Sequence, residues 1–219
     1  MEVGAGKTKS LLIFALLAWP FFLNDIFLIY ATQTQMSLEL FWAIDLIIYF
    51  IIPTTTLFIL FKSGALNHLG TMLARPPLIS GLVGAIFMAF GLDFLIIQKL
   101  GPVLYDYNCM RQCDGYAFPN HIRFIYYGTI VYAALSAGIL EELIFRGQAI
   151  HMLRQFTANK IVIVLAASLL FALIHWCLGS SNLLITFTIG LFPVLWVVYT
   201  KRLWEVMAFH IIVNLLAFT

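Results

Sequence analysis

Seven apolar runs, each close to the length needed to cross a bilayer, follow one another along this chain and decide its solvent. They are Leu11–Ala31, Leu38–Phe61, Leu78–Leu100, Ile122–Leu153, Ile161–Leu178, Leu183–Thr200 and Leu203–Phe218. In hydrocarbon every backbone N–H and C=O must be paired within its own segment, so each run is expected to be a helix. A mean hydropathy of +0.99, with 63% hydrophobic and 10% charged residues, excludes an ordinary soluble domain, in which about a quarter of residues are charged. The expected fold is an all-α polytopic membrane helix bundle of about seven transmembrane helices, with any polar site inside the bundle. The first run is longer than a signal-peptide core and lacks a small-x-small cleavage site, so it is expected to stay as an anchor.

Against that apolar background a few ionisable groups stand out, and such groups inside a membrane are functional candidates by default. The stretch Gly138-Ile-Leu-Glu-Glu-Leu-Ile-Phe-Arg146 places two carboxylates and a guanidinium in the fourth run. On a helix Glu142 and Arg146 share a face, acid before base, and can neutralise each other as a structural ion pair. Glu141 points to a neighbouring face and is left free. Two later runs also carry interior polar groups, in Phe171-Ala-Leu-Ile-His175 and His210-Ile-Ile-Val-Asn214. At about 1.5 Å per residue, Glu141, His175 and Asn214 each fall roughly 17–21 Å from the same side of the bundle, which puts them at one depth. Taken singly, His175 reads as an interior histidine, and His210 with Asn214 as groups bonding helix to helix.

In this order and helical setting, Glu141-Glu142-x-x-x-Arg146, Phe171-x-x-x-His175 and His210-x-x-x-Asn214 resemble the three motifs of the CPBP intramembrane glutamic endopeptidases. That family, also described as Abi-like, includes the type II CAAX prenyl endopeptidases. The likeness covers roughly Tyr127 to Thr219. It implies a membrane-embedded hydrolase in which the residues matching Glu141 and His175 activate water together, with no cofactor and no metal. The substrate implied is a membrane-associated protein or peptide cut near its C-terminus, by CAAX-type processing or by removal of a C-terminal anchor in protein sorting.

Amide hydrolysis needs a base for a water that is otherwise a poor nucleophile, and Glu141 is the expected base. His175 orients the same water and later helps to protonate the leaving nitrogen. His210 and Asn214 offer N–H donors to the developing oxyanion. Glu142 and Arg146 brace the helix, and Phe171 packs within its motif. Other protease chemistries lack their signatures: there is no His-Glu-x-x-His, no Gly-x-Ser-x-Gly, and Gly91-Leu-Asp93 is not Gly-x-Gly-Asp. Zinc held by the glutamates and histidines is the rival mechanism. A non-enzymatic scaffold, such as a bacteriocin-immunity or transporter-like protein, is the rival function.

The polar connection Gly101–His121 suggests a division into an N-terminal segment with its outer loop, 1–120, and a catalytic membrane core, 121–219. With a cytoplasmic N-terminus, Lys7, Lys9, Lys62, Arg75, Arg146, Arg154, Lys160, Lys201 and Arg202 lie inside and only Lys99, Arg111 and Arg123 outside, so the expected setting is the plasma (inner) membrane. No nucleic-acid footprint is visible, and the oligomeric state is open. Asp25, Asp45 and Asp93 are expected to be structural. Cys109 and Cys113, in a loop expected to face an oxidising exterior, form a possible disulfide, while Cys177, within an apolar run, reads as a buried free thiol. Pro53-Thr-Thr-Thr56 predicts a kink, and 62–77 a loop holding a short interfacial helix.

Overall fold

A computed structural model describes residues 2–100, 117–119 and 121–218. Helix α1 spans Glu2–Gln33, α2 Leu38–Lys62, α3 Asn67–Leu73 and α4 Ile79–Leu92 with a π-helical extension Asp93–Leu100; α5 spans Arg123–Leu153, α6 Lys160–Leu178, α7 Ser180–Thr200 and α8 Trp204–Phe218. All regular structure among the described residues is helical. Among the described residues six helices are long and apolar enough to cross a membrane, and α8 is a shorter apolar helix. The protein is an integral membrane protein built as a polytopic helical bundle. Its outer surface carries large apolar side chains such as Phe124, Ile79 and Phe87, exposed by 86%, 82% and 74%, which suits a hydrocarbon solvent and no aqueous one.

The centre of the bundle is α5. Between Ala137 and Gln148 its backbone is π-helical, where a plain α-helix was expected, and in that segment every residue except Ile139 is buried. Such wide turns recur at functional sites, because they redirect side chains that an α-helix would stack one above another. One core joins α1, α2 and α3 to α5, α6, α7 and α8: Phe14, Leu17 and Phe21, then Leu57, Leu66 and Leu69, pack with Ile144 and Phe145, Ile163, Val194 and Met207.

Close approach at Gly138 seats α8. A Cβ there would run into Ile211 Cγ1 and come within 3.0 Å of the Ile211 backbone nitrogen, so only hydrogen lets the two backbones meet just before the glutamates. The small residues Ala133, Ala134, Ala137 and Gly138 form the small-x-x-x-small pairs that admit such a contact. The expected short helix in 62–77 is α3, with Leu66 and Leu69 wholly buried beneath the bundle. A π-helical turn, Leu46–Ile51, lies just before Pro53 and absorbs the irregularity, and the Thr56 hydroxyl donates to the Ile52 carbonyl at 2.8 Å.

Two expectations change. The α-helical part of α6 ends at Ala172, and His175 sits in a 3₁₀ turn, Leu173–Leu178, at φ −117° and ψ 24°, rather than midway along a regular helix. Gly179 at φ 94° then lets the chain reverse into α7. Cys177 is disulfide-bonded, so it is not the free thiol that its apolar setting suggested. The expected Cys109–Cys113 bond falls outside the described residues.

Candidate active site

Three helices bring the singled-out residues to one cavity of about 340 Å³. Its walls carry Glu141, Glu142 and Arg146 from α5, Phe171 and His175 from α6, and His210 and Asn214 from α8, with apolar side chains of α7 closing the side. The cavity runs from the glutamates toward the ends of α6 and α8, where Leu178, Asn182, Ala217 and Phe218 line it. Glu141 is 1% exposed, Glu142 0% and Arg146 1%, so the site is sealed among packed helices at the glutamate end.

At its base Arg146 Nη1 is 3.2 Å from Glu142 Oε1, an ion pair between residues four apart, as the spacing predicted. The guanidinium carbon lies over the Phe171 ring, 3.6 Å from its centroid. Phe171, whose motif position suggested packing alone, thus supplies a π face to a buried cation. Gly190 of α7 fits against the other side of this stack: a Cβ there would be 3.1 Å from Phe171 Cδ1 and 3.6 Å from Arg146 Nη2.

His210 bridges the two carboxylates. Its Nδ1 is 2.7 Å from Glu142 Oε1, while its Nε2 is 3.7 Å from Glu141 Oε2. The pairing of Glu142 with Arg146 is therefore a triad that includes His210. A carboxylate on Nδ1 fixes the ring plane and leaves Nε2 as the nitrogen that faces the cavity.

Glu141 is not free, contrary to expectation. Tyr49 of α2 donates its hydroxyl to Glu141 Oε1, leaving Oε2 as the oxygen without a hydrogen-bond partner. Tyr49 is itself held edge-on by Phe21, at a centroid distance of 4.7 Å. Nothing in its local sequence marks it, since it comes from an ordinary aromatic stretch 92 residues earlier. His175 contacts Phe171 edge-to-face at 5.5 Å and lines the cavity, as Asn214 does; among the described residues neither side chain has a protein hydrogen bond.

The turn that carries His175 is anchored by a second residue that sequence reading had set aside as structural. Asp25 Oδ2 accepts the Cys177 backbone N–H at 3.0 Å, tying the 3₁₀ turn to α1. Asp45 accepts the Tyr132 hydroxyl at 2.9 Å and Asp93 the Gln98 amide at 2.6 Å, so all three aspartates make internal bonds. Asn24, Asp25, Asp45 and Ser136 line a smaller cavity of about 170 Å³, which shares Tyr49 and His175 with the main one. Among the described residues no three His, Cys, Asp or Glu side chains converge with the geometry of a metal centre.

Residues 123–216 match a known family, described as type II CAAX prenyl endopeptidase Rce1-like. The match begins at the first residue of α5 and covers all three motifs, but not α1 or α2, which contribute Tyr49 and Asp25. No curated protein and no solved structure matches the chain.

Proposed function

We propose, on the premise that this chain belongs through residues 123–216 to the Rce1-like family of type II CAAX prenyl endopeptidases and is therefore a CAAX-type intramembrane protease, that it cleaves peptide bonds with a water activated by Glu141. The observation that carries this reading is the division of labour between two adjacent carboxylates. Glu142 Oε1 is shared by the Arg146 guanidinium and His210 Nδ1, whereas Glu141 has no guanidinium: its Oε1 takes the neutral Tyr49 hydroxyl, and among the described residues only His210 Nε2 stands beside its Oε2, at 3.7 Å. Two like groups with different partners are how sites separate a structural role from a chemical one.

In the proposed sequence, the substrate carbonyl lies in the main cavity and water approaches from the polar side shared by Tyr49 and His175. Glu141 Oε2 takes a proton from the water as its oxygen attacks the carbonyl carbon. Tyr49 holds the other carboxylate oxygen, so the base meets the water in one orientation. His175 orients that water and relays the proton held by Glu141 to the leaving nitrogen as the C–N bond breaks, so that both groups return to their starting state. Oxyanion charge is met by the Asn214 amide N–H and by the Nε2–H of protonated His210, whose imidazolium form the Glu142 carboxylate on Nδ1 favours. Arg146, stacked on Phe171, balances Glu142.

The side from which substrate enters follows from the cavity's direction. It leads away from the bundle end that holds Arg154, Lys201 and Arg202, so an inward-facing basic end makes the cavity outward-facing. With the N-terminus inside, this favours C-terminal anchor removal from exported proteins over a prenylated tail presented in the cytoplasm. A plasma (inner) membrane setting suits that use.

Glu141→Gln keeps the shape and the Tyr49 contact and removes the base. Purified protein should lose cleavage of a membrane-protein substrate by at least about a thousandfold, with an unchanged melting temperature. Equal activity in wild type and Glu141→Gln overturns the assignment. Substrate binding or protection that survives a complete loss of cleavage points instead to a scaffold.

A further inference from the structure

At the opposite end of the bundle lies a second built cavity, separate from the glutamate site. About 170 Å³ in volume, it sits between α3, the end of α5 and the turn after α7. Its polar wall consists of His68, Thr71, His151, Arg154 and Lys201, and among the described residues no carboxylate lines it. The other lining residues are apolar or glycine.

We propose that this cavity binds the phosphate of an anionic phospholipid. Its depth suits a headgroup: Arg154 follows the last residue of the spanning helix α5, and Lys201 the last residue of α7. Neither cation has a carboxylate partner among the described residues. Arg154 is steered by one bond from Nη2 to the Val198 carbonyl, at 2.9 Å, which orients the guanidinium at the cavity wall. Lys201 holds a left-handed backbone, φ 57°, that few lysines adopt, and this turn brings its side chain to the same wall.

The two imidazoles add donors of a particular kind. His68 and His151 stack with centroids 3.8 Å apart and planes within 13°, and the buried His68 Nε2 has no hydrogen-bond partner. Thr71 spends its hydroxyl on the His68 carbonyl, at 2.7 Å, so the free donors are all nitrogen. Arg154 and Lys201, with no acid beside them among the described residues, attract an anion, and each imidazole can offer it one N–H donor. A basic pocket between helix ends at the membrane surface is a recognised setting for phospholipid headgroups. Of the two sources of phosphate, lipid is favoured because both chain ends that frame the pocket emerge from spanning helices.

Thermal unfolding of the full chain in neutral detergent tests this, with phosphatidylglycerol, phosphatidylcholine or inorganic phosphate added in turn. Phosphatidylglycerol should raise the midpoint, while phosphatidylcholine and inorganic phosphate should not. The double variant Arg154→Gln, Lys201→Gly should need about tenfold more phosphatidylglycerol for the same shift. A Lys62→Gln, Lys160→Gln variant, at the same bundle end but outside the pocket, should respond as wild type does. If the double variant is unstable, Lys201→Gly alone carries the test, since glycine accepts the turn. Equal shifts with phosphatidylcholine, a full response in the pocket variant, or an equal loss in the Lys62, Lys160 control would overturn the site. Stabilisation by inorganic phosphate alone would overturn its assignment to lipid.

Discussion

The imidazole of His210 stands on Glu142, with Nδ1 2.7 Å from Oε1, and so joins the residue expected to brace the helix to the residue expected to meet the substrate. Glu142 is thereby both the counter-charge of Arg146 and the group that aligns His210. Loss of the Glu141 carboxylate should therefore affect chemistry alone, whereas loss of the Glu142 carboxylate should affect both stability and chemistry.

Arg146→Ala leaves Glu142 as a buried carboxylate without its cation and removes the guanidinium from the Phe171 ring. Breaking such a pair costs about 3–5 kcal/mol. The variant should show a lower melting temperature and poor yield of folded protein, in contrast to Glu141→Gln. Detergent-phase melting curves of the two variants side by side check this; an Arg146→Ala midpoint equal to wild type would refute the role.

Tyr49→Phe deletes one hydroxyl in a packed aromatic cluster and should leave the fold intact. Glu141 would lose the bond that orients it, at a cost of about tenfold in kcat with little change in KM. Steady-state kinetics at saturating substrate decides, and an unchanged kcat would remove Tyr49 from the site.

Gly138→Leu should separate α5 from α8, because its side chain would occupy the space of Ile211 and its backbone. The expected result is loss of folded protein, whereas Gly84→Leu, where a Cβ meets nothing within 4 Å, should be tolerated. Size-exclusion profiles of the two variants provide the comparison.

His68 lies outside the spanning helices, and its pKa falls to about 4 from the ordinary 6.5. Burial is the larger cause and the nearby His151 charge the next, while a contact with Gln148 acts in the opposite sense. Below pH 6.5 the unfolded chain takes up a proton that the folded one refuses, so this contribution is whole above 6.5 and drains away as the pH falls toward 4. Melting temperature measured in lipid-free detergent should decline over that window, and less steeply in His68→Gln. Parallel profiles for the two proteins would contradict it.

Some of this architecture is local in origin and was therefore legible along the chain. Bilayer-length apolar runs compel helices because hydrocarbon offers no other partner for the backbone. A four-residue spacing is enough to pair Glu142 with Arg146, and small residues up to Gly138 announce a close helix crossing. Motif order pointed to a shared site for Glu141, Phe171, His175, His210 and Asn214, and all of them line one cavity. Local spacing had no means of indicating Tyr49, which reaches Glu141 from 92 residues away, or Asp25, which holds the turn of His175 across 152. Each reads alone as a common membrane-helix residue and acquires its partner only when α1 and α2 pack against α5 and α6. The π-helical register of α5 and the 3₁₀ turn at His175 were likewise settled by tertiary packing: propensity favours plain α-helix in both places, and burying Glu141, Glu142 and Arg146 together requires a local geometry that only the surrounding helices can hold in place.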